Sequence, residues 1–311
     1  MKHYFTRLQE AMRNNWDRPA LCNYKGESFT FGELADKIAR FHIVFETIGL
    51  EKGDKIALCA KNSARWAVSF LAINTYGTVV VPILADFLPE SIDSLVAHSG
   101  SRILFTDPDM WKKLDISKMP EIVTVVSVAD FSILYTADEA TSKALADMPE
   151  MFKARYPDGV KPEDISYPVD NDKDLAVINY TSGTTSAPKG VMLRYECLSA
   201  NVEFGQKWMP SYPGDNMVSM LPMAHMYGMM FEFIYVLCGG ATVNFLGKTP
   251  TPSLLLGAMG ELKPYFIITV PLVMEKIFRC SSYIGQTCNE SPYGDSWSGQ
   301  DYIQEDTQDA S

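Results

Sequence analysis

The stretch Tyr180-Thr181-Ser182-Gly183-Thr184-Thr185-Ser186-Ala187-Pro188-Lys189-Gly190-Val191 contains small hydroxyl residues, two glycines and one lysine. It follows an apolar run at residues 175–178, which predicts a buried strand. Residues 198–202 come shortly after it and predict the start of a helix region. We therefore interpret the stretch as a loop between a strand and a helix.

The residue types of this loop suit a polyphosphate. Gly183 lets the backbone approach an anion closely and point successive N–H groups at it. Lys189 adds a compact positive charge on a flexible stem. Four hydroxyl side chains add hydrogen-bond donors: Thr181, Ser182, Thr184 and Thr185.

The two alternatives to this interpretation are an ordinary polar loop and a Walker A loop. An ordinary polar loop would not need five Ser/Thr residues around one glycine followed by Pro-Lys-Gly. A Walker A loop requires G-x-x-x-x-G-K-[ST]. Here Pro188 holds the place of the second glycine and Gly190 follows the lysine, so that spacing fails and a P-loop NTPase is disfavoured.

Tyr180 to Val191 resembles the signature YTSGTTGxPKGV of the adenylate-forming superfamily, which includes acyl-CoA synthetases, luciferases and peptide-synthetase adenylation domains. The chain departs from this pattern only at Ser186, where glycine is usual. The resemblance implies that the loop holds the phosphates of ATP while a carboxylate attacks the α-phosphate. It also makes Thr184 the candidate contact to Mg²⁺, and it implies CoA as the second substrate.

A second motif follows the loop. Leu221-Pro222-x-x-His225-x-x-Gly228 comes after an apolar run and resembles another superfamily motif. A lone histidine at a strand end is usually part of the core, but the order and spacing of the two motifs favour a site role. The resemblance implies that His225 borders the acyl and adenylate site.

The absence of an aspartate after the second motif predicts the substrate class. Peptide-synthetase domains usually carry an aspartate just after this region, and none occurs between Met217 and Leu255. The residues Val270-Pro271 and Glu275-Lys276-Ile277 resemble the long-chain acyl-CoA synthetase branch. We therefore expect a fatty acid or another apolar carboxylate. Five side chains could line its pocket or belong to the ordinary core: Met223, Met226, Met229, Met230 and Phe231.

The order of predicted elements indicates an α/β fold with mostly parallel sheets flanked by helices. Thr30 and Glu33 have capping-box spacing before a helix, which Gly49 can end. Further strands are predicted near residues 54–59, 77–83, 102–106 and 122–128. Polar, proline-containing residues near 137–174 predict a surface connection. We expect an incomplete AMP-binding domain over residues 1–279.

Residues 280–311 contain no Lys or Arg and show no helical or strand periodicity, so we expect a disordered tail unlike the family. We also expect little or no turnover from these residues alone. The family's Tyr-Gly-x-Thr-Glu and Thr-Gly-Asp segments and its catalytic lysine domain are not found here. A non-catalytic acyl or nucleotide binding module, or a non-functional fragment, is therefore the alternative.

Composition excludes several other classes. The 311 residues carry a net charge of −11 without a basic run, which disfavours nucleic acid as a partner. The six cysteines form no C-x-x-C pair, so a zinc site is disfavoured. Residues 226–238 predict a buried helix too short to span a bilayer. With no signal-peptide pattern, we expect a cytoplasmic protein, and a peripheral membrane contact is left open.

Overall fold

The computed structural model describes residues 1–181, 189–247, 250–271 and 273–275. Within these ranges the chain alternates strands and helices as the sequence predicts. The strands are β1 (Pro19–Asn23), β2 (Ser28–Thr30), β3 (Lys55–Cys59), β4 (Val79–Pro82), β5 (Ser101–Thr106), β6 (Thr124–Ser127), β7 (Ile133–Thr136), β8 (Leu175–Thr181), β9 (Lys189–Arg194), β10 (Asn216–Ser219) and β11 (Thr242–Phe245).

The helices lie mostly between strands. They are α1 (Tyr4–Asn14), α2 (Phe31–Thr47), α3 (Ala64–Tyr76), α4 (Pro89–Ser99), α5 (Pro108–Trp111), α6 (Glu139–Arg155), α7 (Tyr195–Trp208), α8 (Met226–Gly228), α9 (Tyr235–Cys238) and α10 (Pro252–Leu262). Short 3-10 turns occur at Ile116–Lys118 and Pro162–Asp164. A π-helix, Met229–Ile234, joins α8 to α9. Residues 226–238 thus form one helical segment that is largely buried, with Tyr227 exposed, and this confirms the predicted helix.

The strands form two sheets. The larger has the order β7-β6-β5-β3-β4-β8-β9, in which only the edge strands β7 and β9 are antiparallel to their neighbours. The smaller has the order β10-β11-β1-β2, with only β2 antiparallel. This arrangement confirms an α/β fold with mostly parallel sheets flanked by helices.

Helix α2 forms where the sequence predicts it, because its termini are specified locally. The Thr30 hydroxyl accepts from the Glu33 N–H at 3.1 Å, and the Glu33 carboxylate accepts from the Thr30 N–H at 2.8 Å. Gly49 follows the helix with φ +69, a left-handed conformation that costs glycine little. Leu34 and Ile38 point from the helix into the core.

The two sheets share one apolar core. A continuous cluster of buried side chains includes Val80 from the larger sheet and Val243 from the smaller one. Within this cluster, the Trp66 ring stacks on Phe70 at 5.6 Å, and the Phe233 ring meets Phe70 edge-on at 5.7 Å. Helix α3 and the segment of residues 226–238 are therefore packed directly against each other.

Residues 137–174 contain a helix that the sequence does not predict. Helix α6 spans 17 residues with Pro149 inside it, and only a few of its side chains are buried. It packs on α2, where the Arg40 guanidinium lies 3.6 Å from the Phe152 ring centre and Arg155 pairs with Glu46 at 2.8 Å. The division of the chain near these residues stays a prediction. The expected tail, residues 280–311, lies outside the described residues.

Candidate functional site

The predicted phosphate loop joins two antiparallel strands. Thr181, the last residue of β8, is the register partner of Lys189, the first residue of β9. The sequence predicts a helix after the loop, but the structure has an edge strand first, and α7 begins only at Tyr195. The helix predicted at residues 198–202 is present as part of α7, but the expectation that it follows the loop directly was wrong. Strand β9 is exposed along nearly its whole length, so it has no buried apolar run to reveal it.

Thr181 and Lys189 are both exposed at the end of this pair of strands. They bring a hydroxyl group and an ammonium group to the two ends of the loop. The other predicted phosphate-binding residues, Ser182, Gly183, Thr184 and Thr185, lie outside the described residues. Their contacts, and the assignment of Thr184 to Mg²⁺, remain predictions.

The start of the loop is fixed by Tyr180. Its ring is buried, and its hydroxyl lies 2.7 Å from Nδ1 of His98 at the end of α4. Gly190, its register partner on β9, packs closely on it. A Cβ at Gly190 would lie 2.9 Å from the Ile178 side chain and 3.3 Å from the Tyr180 ring. His98 is exposed, and its ring also supports the strand that enters the loop.

His225 is an exposed residue at the end of a largely buried turn between β10 and α8. We call residues 220–225 the histidine turn. Nδ1 of His225 accepts from the Tyr227 N–H at 3.4 Å, so the histidine is the N-cap of α8. In a neutral imidazole this leaves the ring proton on Nε2, a donor on an exposed side chain.

Two asparagines hold the histidine turn through its backbone. The Asn62 amide donates to the Leu221 carbonyl at 2.7 Å, and its oxygen accepts from the Met223 N–H at 2.9 Å. The Asn179 amide donates to the Ala224 carbonyl at 2.7 Å. Asn179 lies two residues before Thr181 on β8, so the structure brings the histidine turn next to the strand that enters the loop.

A buried carboxyl group holds the other end of the turn. Oε2 of Glu232 accepts from the Ser219 hydroxyl at 3.1 Å and from the N–H groups of Met220 and Leu221, each at 2.9 Å. Burial raises the pKa of Glu232 to about 8, although these three donors favour the ionised form. Glu232 lies in the π-helix, a helix type often found at functional sites.

A model of the AMP-binding enzyme family matches residues 8–296. The chain belongs to the AMP-binding enzyme family. It is 28% identical over 259 residues to the probable acyl-activating enzyme 16, chloroplastic, of Arabidopsis thaliana, which covers 81% of this chain and 35% of that protein. It is 28% identical over 281 residues to long-chain-fatty-acid–CoA ligase 1 of Schizosaccharomyces pombe. This match covers 86% of this chain and 40% of that protein.

Solved structures show the same fold. The crystal structure of ATP-bound MatB from Rhodopseudomonas palustris matches with a TM-score of 0.72 at 22% identity, and it covers 90% of this chain and 51% of that chain. These comparisons confirm the adenylate-forming resemblance and the fold class. The chain spans 35% and 40% of the length of the two curated relatives named above.

Some residues of this candidate site were not predicted from sequence. Asn62 belongs to no motif in the sequence, and Asn179 lies inside an apolar strand without a motif. Glu232 is a lone charge in an apolar segment, a pattern that can indicate a buried carboxyl group. Of the five side chains considered for an acyl pocket, Met223, Met229 and Met230 belong to the packed core.

Two further observations concern the described part of the chain only. None of its helices is long and apolar enough to cross a bilayer. It contains no group of three or more His, Cys, Asp or Glu side chains placed to hold a metal ion. The cytoplasmic location, the absence of a nucleic-acid partner and any peripheral membrane contact stay predictions.

Proposed function

We propose that this chain contributes the ATP and carboxylate sites of a fatty acid–CoA ligase. In that reaction a carboxylate oxygen attacks the α-phosphate of ATP, which forms acyl-AMP and releases pyrophosphate. The CoA thiol then attacks the acyl carbon, and AMP leaves. The hydrogen bond from Asn179 to Ala224 carries this proposal, because it joins the strand that leads into the first motif to the turn of the second motif, and the family resemblance implies that these motifs hold the two substrates.

The ATP site is proposed at the loop between β8 and β9. Lys189 and Thr181 at its ends supply a positive charge and a hydroxyl donor, which suit phosphate oxygens. Ser182, Gly183, Thr184 and Thr185 complete the proposed site. The likeness to ATP-bound MatB supports ATP as the nucleotide. Mg²⁺ at Thr184 and CoA as thiol substrate are proposed from the family alone.

The acyl site is proposed beside His225. The histidine turn places an exposed imidazole next to the strand that enters the loop. The absence of an aspartate between Met217 and Leu255 favours an uncharged acyl tail. Relatives named as long-chain-fatty-acid–CoA ligases, from Schizosaccharomyces pombe and Rattus norvegicus, support a fatty acid. We therefore propose a fatty acid carboxylate as the substrate.

Equilibrium binding of palmitate tests the acyl site. We expect wild-type protein to bind palmitate, and His225→Ala to weaken that binding about tenfold, which corresponds to about 1.4 kcal/mol. The ATP affinity of the same variant, measured by calorimetry, is the internal control and should stay within about twofold of wild type. Equal palmitate affinity in the two proteins would contradict the proposed acyl site.

Palmitate-dependent exchange between ATP and labelled pyrophosphate tests the chemistry. Because segments that the family uses for Mg²⁺ and ribose are not found in these residues, we expect weak exchange or none from them alone. Clear exchange would overturn that expectation and directly support adenylate formation. Binding of ATP without palmitate binding or exchange would instead favour a nucleotide-binding module.

A further inference from the structure

Glu232 is a carboxyl group in the middle of the core. Its side chain is fully buried, and it lies in the helical segment of residues 226–238 among apolar neighbours. A buried carboxyl group lowers stability unless its hydrogen bonds compensate for the lost water. A purely apolar side chain would fill the same space without this cost, so the polar contacts of Glu232 need an explanation.

The contacts all converge on one oxygen and one stretch of chain. Oε2 accepts from the Ser219 hydroxyl and from the consecutive N–H groups of Met220 and Leu221. These residues end β10 and begin the histidine turn. Oε1 has no hydrogen-bond partner among the described residues. The side chain therefore acts as a single acceptor that fixes where the chain leaves the sheet.

The helix also touches the turn at a second point. A Cβ at Gly228 would lie 2.7 Å from the Pro222 carbonyl oxygen and 3.2 Å from the Leu221 side chain. The start of the helical segment therefore packs against the histidine turn. Glu232 lies four residues further along the same segment and bonds the same part of the chain. A displacement of Glu232 would be transmitted to residues 220–222, which lead directly to His225.

A neutral Glu232 side chain is consistent with its role as a hydrogen-bond acceptor for the turn. No ion pair involves Glu232 in the part of the chain that the structure describes. Burial favours the protonated form, and the three donors all contact Oε2, while Oε1 has no hydrogen-bond partner among the described residues. A neutral amide of the same shape can offer the same acceptor oxygen.

We propose that Glu232 is a positioning residue whose Oε2 holds the histidine turn and thereby places His225 at the acyl site. This rests on the proposed function of His225. Glu232 itself touches no substrate in this account. It acts through the backbone of residues 220 and 221, while Asn62 bonds Leu221 and Met223 and Asn179 bonds Ala224 further along the turn.

Three variants of the whole chain separate this role from simple packing. Glu232→Gln keeps the size and the acceptor, Glu232→Met keeps the size without the acceptor, and Glu232→Asp keeps the carboxyl group but shortens its reach. Palmitate and ATP affinities are measured on each folded variant, with His225→Ala in parallel. If Glu232→Met does not fold, Glu232→Asp provides the test of the lost acceptor contact.

We expect Glu232→Gln to bind palmitate like wild type and Glu232→Met or Glu232→Asp to bind it about tenfold more weakly, with ATP affinity within about twofold. Equal loss of both affinities would indicate general damage and overturn the proposal. The proposal would also be overturned if Glu232→Gln bound palmitate as weakly as Glu232→Met. If His225→Ala weakens palmitate binding but Met and Asp do not, this inference fails alone. If His225→Ala has no effect, the proposed acyl site fails.

Discussion

The side-chain amide of Asn179 on β8 donates a 2.7 Å hydrogen bond to the carbonyl oxygen of Ala224, the residue before His225. Both residues are buried. The bond spans 45 residues of sequence and connects the strand that enters the predicted phosphate loop with the turn that carries the histidine. The strand that enters the predicted loop and the turn that carries His225 are therefore bonded directly to each other, as the proposed shared site requires.

Asn179→Ala should lower the free energy of unfolding by about 1–3 kcal/mol, because it removes the donor from a buried carbonyl. Asn201→Ala is the matched control. Its amide bonds the Cys197 carbonyl within α7, and alanine favours helix there. Urea denaturation of both variants checks this, and a larger loss for Asn201→Ala would contradict it.

Tyr180→Phe should weaken ATP binding with a small stability loss of about 0.5–1.5 kcal/mol, because it releases the start of the loop from His98. Tyr195→Phe is the control, since its hydroxyl bonds the Asn74 carbonyl at 2.8 Å inside the core. That variant should lose stability and keep its ATP affinity. Calorimetric titration with ATP distinguishes them, and equal ATP affinities in the two variants would count against the role of Tyr180.

Gly190→Ala should reduce both stability and ATP affinity, because the added methyl would press on Ile178 and the Tyr180 ring. Gly260→Ala is the control, because its expected effect on stability has the opposite sign. Gly260 lies in α10 with open space around it, and alanine there should raise stability by about 0.5–1 kcal/mol. Thermal melts and ATP titrations of the two variants test this. An unchanged Gly190→Ala protein would show that β9 does not pack as described.

Glu232 should make stability depend on pH. Its pKa is about 8 in the folded protein and 4.5 in the reference state, so only the folded protein holds this proton between those values. Stability contributed by the group therefore falls as pH rises through that window, by at most about 1.4 kcal/mol per pH unit. The difference in unfolding free energy between wild type and Glu232→Gln should show this slope.

The contribution of His42 to stability changes with pH in the opposite direction to that of Glu232 over part of this pH range. Burial lowers the pKa of His42 to about 4, so the unfolded chain binds the extra proton below the ordinary value of 6.5. Its contribution to stability is lost as pH falls from 6.5 towards 4. Because both proteins retain His42, its effect cancels in the comparison with Glu232→Gln. A difference that stays constant from pH 5 to pH 8 would contradict the raised pKa of Glu232.

Local signals account for what the sequence predicts well. Helix α2 follows from a capping box and a glycine at its end, and the parallel strands β3, β4 and β5 follow from short apolar runs between helices. These patterns depend on neighbouring residues. The Thr181–Lys189 loop and His225 are recognised because their motifs are contiguous.

Elements stabilised by distant contacts are harder to predict. Strand β9 exists because it pairs with β8, and its own residues are exposed. Helix α6 contains Pro149 and is stabilised by contacts with α2 such as Arg155 to Glu46. Asn179 and Glu232 become site residues only when the fold brings the histidine turn beside them, and no spacing in the sequence indicates that.

Calorimetric titration of the chain with ATP, in wild type and Lys189→Ala, tests the central claim most directly. Lys173→Ala is the control, because it removes an equally charged, exposed lysine away from the loop. We predict that wild type and Lys173→Ala bind ATP alike and that Lys189→Ala binds it at least about tenfold more weakly. Equal affinity in all three proteins would contradict a phosphate site between β8 and β9.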